Sequence, residues 1–481
     1  MRNVSTIILS LIFMNFCYAQ NVVTFWENGQ KKSEGDTIAG KKSGKWIMWY
    51  EDGKKWGEGN YKDGEKTGNW LYWYGNNEKW SEINIENGLC VSWYKNGKKE
   101  KQGNVNNGKK EGKWFYWYEN GKAMKENYFE NDTLEGKAIS WFVNGQKEFE
   151  GSYQNGELHG NCTWWNKDGK KDMEGGFVSG KQHDFWTFWH PNGKKGSEGN
   201  FINSKQDGKW TYWYACSDSF TGESCPKVRE GSYKEGSKVD LWTVWYENGS
   251  KEREGNFKDG KEDGKWTSWY ICQDPCAGEK GQKKDEGYFK MGKFDGNWIG
   301  WYEDGQLKYN TNYKEDVKHG KWTHWYPLPN EVTSHNEGLT GYESPPPKTA
   351  SPQTGATGGK EYEGNYINGR HDGKWTSWYP PTDTCTGENG QVKEEGFYKM
   401  DKKDGLWIYW YENGTKYQEH NYSNGRQDGK WTEWYEHGAL SIEGYYKIGV
   451  KDGKWTYWDP NGKKIYSFKF KDGIKVKEIS Y

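Results

Sequence analysis

One tryptophan-bearing signature recurs along almost the whole chain, and a repeat this short leaves few folds open. Aligned on the residue after Gly-Lys in GKW, the signature slot falls at Trp46, Trp70, Cys90, Trp114, Ala138, Cys162, Trp186, Trp210, Trp242, Trp266, Trp298, Trp322, Trp375, Trp407, Trp431 and Trp455. Most of the steps between these sixteen positions are 24 residues; one is 20, three are 32 and one is 53. A unit of that length cannot enclose a core of its own. Neighbouring units must therefore bury one another's apolar surface.

Within a unit, KWTxWY is prone to strand formation because Trp, Thr and Tyr suit a pleated surface. ENG or EDG follows as a turn, since Asn-Gly and Asp-Gly tolerate positive φ. KxxEGxY is a second extended run, and DGKxDG a second turn. Each unit thus reads as a β-hairpin, and helices should be few. Composition agrees: 33 Trp and 65 Gly in 481 residues suit a repetitive β architecture, and 18% aromatic content argues against disorder. The expected fold is all-β, an elongated array of about sixteen stacked β-hairpins, as a single twisted sheet or a shallow β-solenoid.

The unit resembles the MORN repeat family. The motif stands as Tyr61-Lys-Asp-Gly64 through Trp70-Leu-Tyr-Trp73-Tyr74, and again as Tyr422-Ser-Asn-Gly425 through Trp431-Thr-Glu-Trp434-Tyr435. It is closest to a variant found in bacterial multi-repeat proteins, some of them antitoxin-like. The resemblance implies a β-hairpin repeat architecture and says little about function.

Side chains alternate along a strand, so both faces of the sheet carry a large aromatic in every unit. The second strand places Gly two residues before an aromatic, as with Gly59 and Tyr61 or Gly255 and Phe257. Gly in a strand costs stability unless a neighbour uses the space. Each first Trp is therefore expected to cover a Gly of the adjacent strand, making a ladder of rings. An open face would leave the second Trp row as a candidate binding surface: Trp49, Trp73, Trp117, Trp213, Trp269, Trp325, Trp378, Trp410 and Trp434.

The chain divides at sequence level into a signal peptide (1–19), hairpin repeats (20–326), a flexible Pro/Ser/Thr/Gly-rich insertion (327–364), further repeats (365–464) and a C-terminal capping hairpin (465–481). The cap keeps an Asp-Gly turn and carries Lys469, Lys471, Lys475 and Lys477, which discourage pairing with another chain. The three 32-residue steps share an inserted loop containing Asp218 and Glu223, Asp274 and Glu279, and Asp383 and Glu388. These loops read as duplicated surface turns or as binding loops on a rigid scaffold. Cys216 with Cys225, and Cys272 with Cys276, are candidate disulfides. Cys90 and Cys162 replace a Trp and read as packed thiols, and Cys385 has no partner in its own loop.

The N-terminus has one Arg, then an apolar run from Ile7 to Phe13, then small or polar residues, which reads as a secretory signal cleaved after Ala19. The expected location is secreted, periplasmic or cell-surface. Basic and acidic residues number 68 and 69 and are interspersed. That balance gives no electrostatic footprint for nucleic acid and speaks against peripheral membrane contact. The His residues are scattered template substitutions, and no catalytic or metal-binding motif is found. The expectation is a non-enzymatic protein without cofactor or metal, acting as a scaffold for a protein partner. Carbohydrate or cell-wall binding through Trp/Tyr ladders is the alternative, and an antitoxin-like role a second one.

Overall fold

The computed structural model describes residues 18–217, 225–272, 281–327, 358–381 and 389–481. Among these, strands are the only regular secondary structure, and the protein is all-β. It divides into two units. One is Met1–Asp207 with Ala215–Cys225, the other Gly208–Tyr214 with Pro226–Tyr481.

The first unit opens with β1 (Gln20–Phe25), β2 (Lys31–Ile38), β3 (Lys41–Trp49), β4 (Lys55–Lys62), β5 (Glu65–Trp73), β6 (Lys79–Asn84), β7 (Gly88–Trp93), β8 (Lys99–Asn106) and β9 (Lys109–Trp117). Each pairs antiparallel with the next in sequence. The second unit is built the same way and ends with Lys464–Lys471 paired to Ile474–Ser480. The strand Lys360–Ile367 starts inside the stretch assigned from sequence to the insertion. Its KEYEG is the repeat's own second strand, and it pairs with Gly320–Trp325. The repeats therefore resume before residue 365.

Two local geometries shape every hairpin. Tight turns such as Asp63-Gly64 (φ 52° and 90°) and Asn107-Gly108 (φ 50° and 73°) use two left-handed residues, which matches the twist of the flanking strands. The Gly of GKW is also left-handed, as at Gly44 (φ 66°) and Gly112 (φ 69°), and Asp184 and Asp240 replace it at φ 62° and 55°. On the facing strand the register slips beside it, between Gly35 and Asp36 and between Gln102 and Asn104. There the strand bends, and the hairpin tip lies over the Trp row. Lys42 Nζ sits 4.2 Å from the Trp46 ring centre and Lys66 Nζ 4.4 Å from that of Trp70.

The core is this first Trp row. Trp46, Trp70, Trp114, Trp186, Trp242, Trp407 and Trp455 are all buried. In register, Trp46 faces Gly35 on one side and Gly59 on the other. A Cβ on Gly59 would stand 2.2 Å from the Trp70 ring. The indole nitrogen of Trp46 donates to the carbonyl of Asp36, and the same bond joins Trp242 to Ser232 and Trp407 to Phe397. Tyr61 stands edge-on between Trp46 and Trp70, with ring centres 5.9 and 5.0 Å away. Such pairs contribute roughly 0.5–1.5 kcal/mol each beyond burial.

Candidate binding surface

The second Trp of each unit lies on the opposite face of the strand from the first, as alternation requires. Trp49, Trp73, Trp117, Trp213, Trp325, Trp378, Trp410 and Trp434 are half-buried, whereas Trp269 is only 3% exposed. Trp269 thus presents no open face. It stands at the foot of the second inserted loop, where the Cys272 amide donates to Ser250 Oγ and Asn248 donates to the Cys272 carbonyl.

A lysine lies over most of these rings. Lys31 is 5.8 Å from the Trp49 centre, Lys55 5.1 Å from Trp73, Lys99 5.8 Å from Trp117, Lys360 5.5 Å from Trp378 and Lys416 5.7 Å from Trp434. The same ammonium is held by the glutamate three residues on, or for Lys99 by Gln102. Lys55 bonds Glu58 at 2.9 Å, Lys360 bonds Glu363 at 2.7 Å, and Lys416 bonds Glu419 at 2.7 Å. A second lysine often joins from the neighbouring strand: Lys137 and Lys147 both reach Glu150 at 2.6 Å. Those hydrogen bonds hold the Glu150 carboxyl below its ordinary range, and Lys55 does the same for Glu58. The lysine slot is taken by Ala123 in the strand before Trp141, Leu307 before Trp325, Val392 before Trp410 and Leu440 before Trp458. The face is therefore a periodic series of indole, ammonium and carboxylate, with apolar side chains in the lysine slot at four steps.

At the turn edge, the Tyr after the second Trp ties one hairpin to the next. Tyr50 Oη donates to the Trp73 carbonyl at 2.9 Å, Tyr118 to Trp141 at 2.7 Å, Tyr246 to Trp269 at 2.9 Å and Tyr411 to Trp434 at 3.1 Å. Burial pushes the Tyr118 and Tyr246 phenols up, so they remain donors at neutral pH. Sequence reasoning missed both the lysine caps and this hydroxyl ladder. The signal was the fixed K-x-x-E-G spacing together with the near-invariant WY pair.

Cys216 and Cys225 are joined by a disulfide. Cys90 and Cys162 are buried thiols, and burial raises both of their pKa values. Asp218, Glu223, Asp274, Glu279, Asp383, Glu388, Cys276, Cys385 and residues 1–17 of the expected signal lie outside the described residues.

Seven segments, 42–63, 110–131, 241–259, 294–315, 403–424, 427–447 and 451–472, match the MORN repeat variant. The chain is a MORN-repeat protein. The matches fall in both units, and each takes in a first-Trp slot or the turn beside one. None of the curated proteins compared with this MORN array matches it. Among solved structures, it is similar to the crystal structure of TcdB2-TccC3-Cdc42, with 11% identity and a TM-score of 0.14, over 94% of this chain and 22% of that one. It is also similar to the Photorhabdus luminescens Tc holotoxin pore, with 8% identity and a TM-score of 0.17, over 94% and 24%. The MORN array spans under a quarter of those chains, and so low a TM-score carries no argument.

Proposed function

We propose that the chain is a non-enzymatic repeat scaffold, secreted or surface-associated, that binds a protein partner along the second Trp face. The observation that carries this reading is the periodic row of half-buried indoles, most of them set among paired Lys and Glu. Repeat arrays offer extended surfaces of this kind. Aromatic anchors ringed by polar groups are the usual anatomy of a protein interface. The lysines lying over the rings favour a protein over a polysaccharide, because a sugar needs the bare ring face. The Cys216–Cys225 bond supports an oxidising compartment.

The test is a comparison of partners captured in the native cell by proximity labelling with wild type, Trp410→Ala and the charge-reversed pair Lys416→Glu with Glu419→Lys. A protein lost with both variants, and rebound by the purified wild type, supports the reading. Identical capture by all three contradicts it. Saturable binding of a polysaccharide, abolished by Trp410→Ala, would establish the carbohydrate reading instead.

A further inference from the structure

We propose that the gap beside Cys90 is a binding site for a small planar aromatic molecule, of the indole or phenol class. The inference does not depend on the partner reading above. It rests on a local failure of the ring ladder. In most other units a Tyr or Phe, a Trp and the next Tyr or Phe follow one another, as Tyr61 stands between Trp46 and Trp70. Around β7 the three corresponding slots hold Ile85, Cys90 and Val105.

The step from Trp70 to Cys90 is also the 20-residue one. It lacks the four residues that elsewhere carry a lysine-bearing tip over the ring, as Lys66 lies over Trp70 and Lys110 over Trp114. Ile83 occupies the slot that is Gly in most units and so fills part of the missing indole's place. What remains is a cavity of about 300 Å³ whose apolar lining is Trp80, Ile83, Cys90, Val91, Val105 and Trp114; Lys101, Lys110, Glu100 and Asp132 also border it.

Trp114, 4% exposed, is part of the cavity wall, and Trp80, 42% exposed, leaves a way in from solvent. An engineered apolar cavity of about 150 Å³ already takes up benzene, so an indole-sized molecule fits. A hydrogen-bond acceptor is at hand. The Glu100 carboxylate, held by Ser92 Oγ at 2.9 Å, borders the space and can receive the single N–H or O–H of the ligand. The comparable gap beside Ala138, about 390 Å³, is bordered by Leu134, Phe149, Tyr153 and Trp164 as well as by Lys125, Asn127, Ser140 and Glu148, and serves as the control site.

The experiment uses the full chain and 5-fluoroindole observed by fluorine NMR, with indole and phenol as competitors. Saturable binding is expected, weakened at least tenfold by Val105→Tyr and by Cys90→Trp, which refill the slots, and unchanged by Ala138→Trp. Amide hydrogen exchange on the unsubstituted chain gives a second readout that needs no variant. Indole should slow exchange in residues 80–92 and 103–106 and leave 138–164 unaffected. Absence of saturable binding, binding that survives both refilling variants, or protection centred on 138–164 would overturn the assignment.

Discussion

Trp114 lies over Gly103 so closely that a Cβ there would stand 2.2 Å from the ring carbon Cδ2. The pair fits only because one partner has no side chain. The indole then donates to the carbonyl of Asn104 at 2.9 Å, so a buried ring carries no orphan N–H. Gly103→Ala should therefore destabilise the protein by about 2 kcal/mol, the usual cost of forcing extra volume into a packed site. Gly75→Ala, where no atom lies within 4 Å, should change stability by less than about 0.5 kcal/mol. Urea denaturation of the two variants side by side makes the comparison.

His420 occupies the slot that is usually Gly, is 3% exposed, and stacks on Trp431 with ring centres 3.2 Å apart. Trp431 is displaced from the usual bond and donates instead to Glu433 Oε1 at 2.7 Å. Burial, reinforced by Lys403, pushes the His420 pKa down to about 3. The unfolded chain, with an ordinary pKa near 6.5, then binds a proton that the folded chain does not. Stability from this residue is full above about pH 6.5 and falls as pH drops toward 3, by up to about 1.4 kcal/mol per pH unit. Denaturation at pH 7 and pH 4.5 should show a smaller loss for His420→Gly than for wild type.

Ile448 is held in the left-handed region at φ 51°, in a turn slot where Asn107 and Asn424 stand in other units. A β-branched side chain is poorly suited there. It is 62% exposed, so little packing is lost on replacement. Ile448→Asn should stabilise the C-terminal hairpins by about 1 kcal/mol. Thermal unfolding should register a higher midpoint; a lower one would show that Ile448 makes an unseen contact.

Tyr118→Phe removes the hydroxyl that serves the Trp141 carbonyl. The expected cost is about 1 kcal/mol, the net worth of an ordinary hydrogen bond. Amide exchange should quicken at the turn joining the two hairpins and stay unchanged further along the chain.

Much of this could be read from the residues alone, for a physical reason. Alternation, Asn-Gly turns and the Gly–Trp match are local rules, each decided within one hairpin and its neighbour. The lysine above each second Trp was not legible, because the reach of a long side chain depends on strand register. That register includes bulges, such as the one that sets Met48 opposite Gly57 but Trp49 opposite Lys55. Trp269 could not be told from its half-buried counterparts, since Trp213 and Trp378 stand beside inserted loops of the same pattern and remain half-buried. Nor could spacing reveal the Cys90 gap: Ile83 looks like a simple compensation for the lost ring until Val105 is seen beside it.

Cohesion between successive hairpins, with no shared interior, is the claim on which the rest depends. Amide hydrogen exchange on Gly103→Ala measures it most directly. Protection should fall across residues 88–130, in the hairpins that share the Trp114 ring, and stay at wild-type levels across 426–458. A loss spread evenly over all the strands would contradict the account.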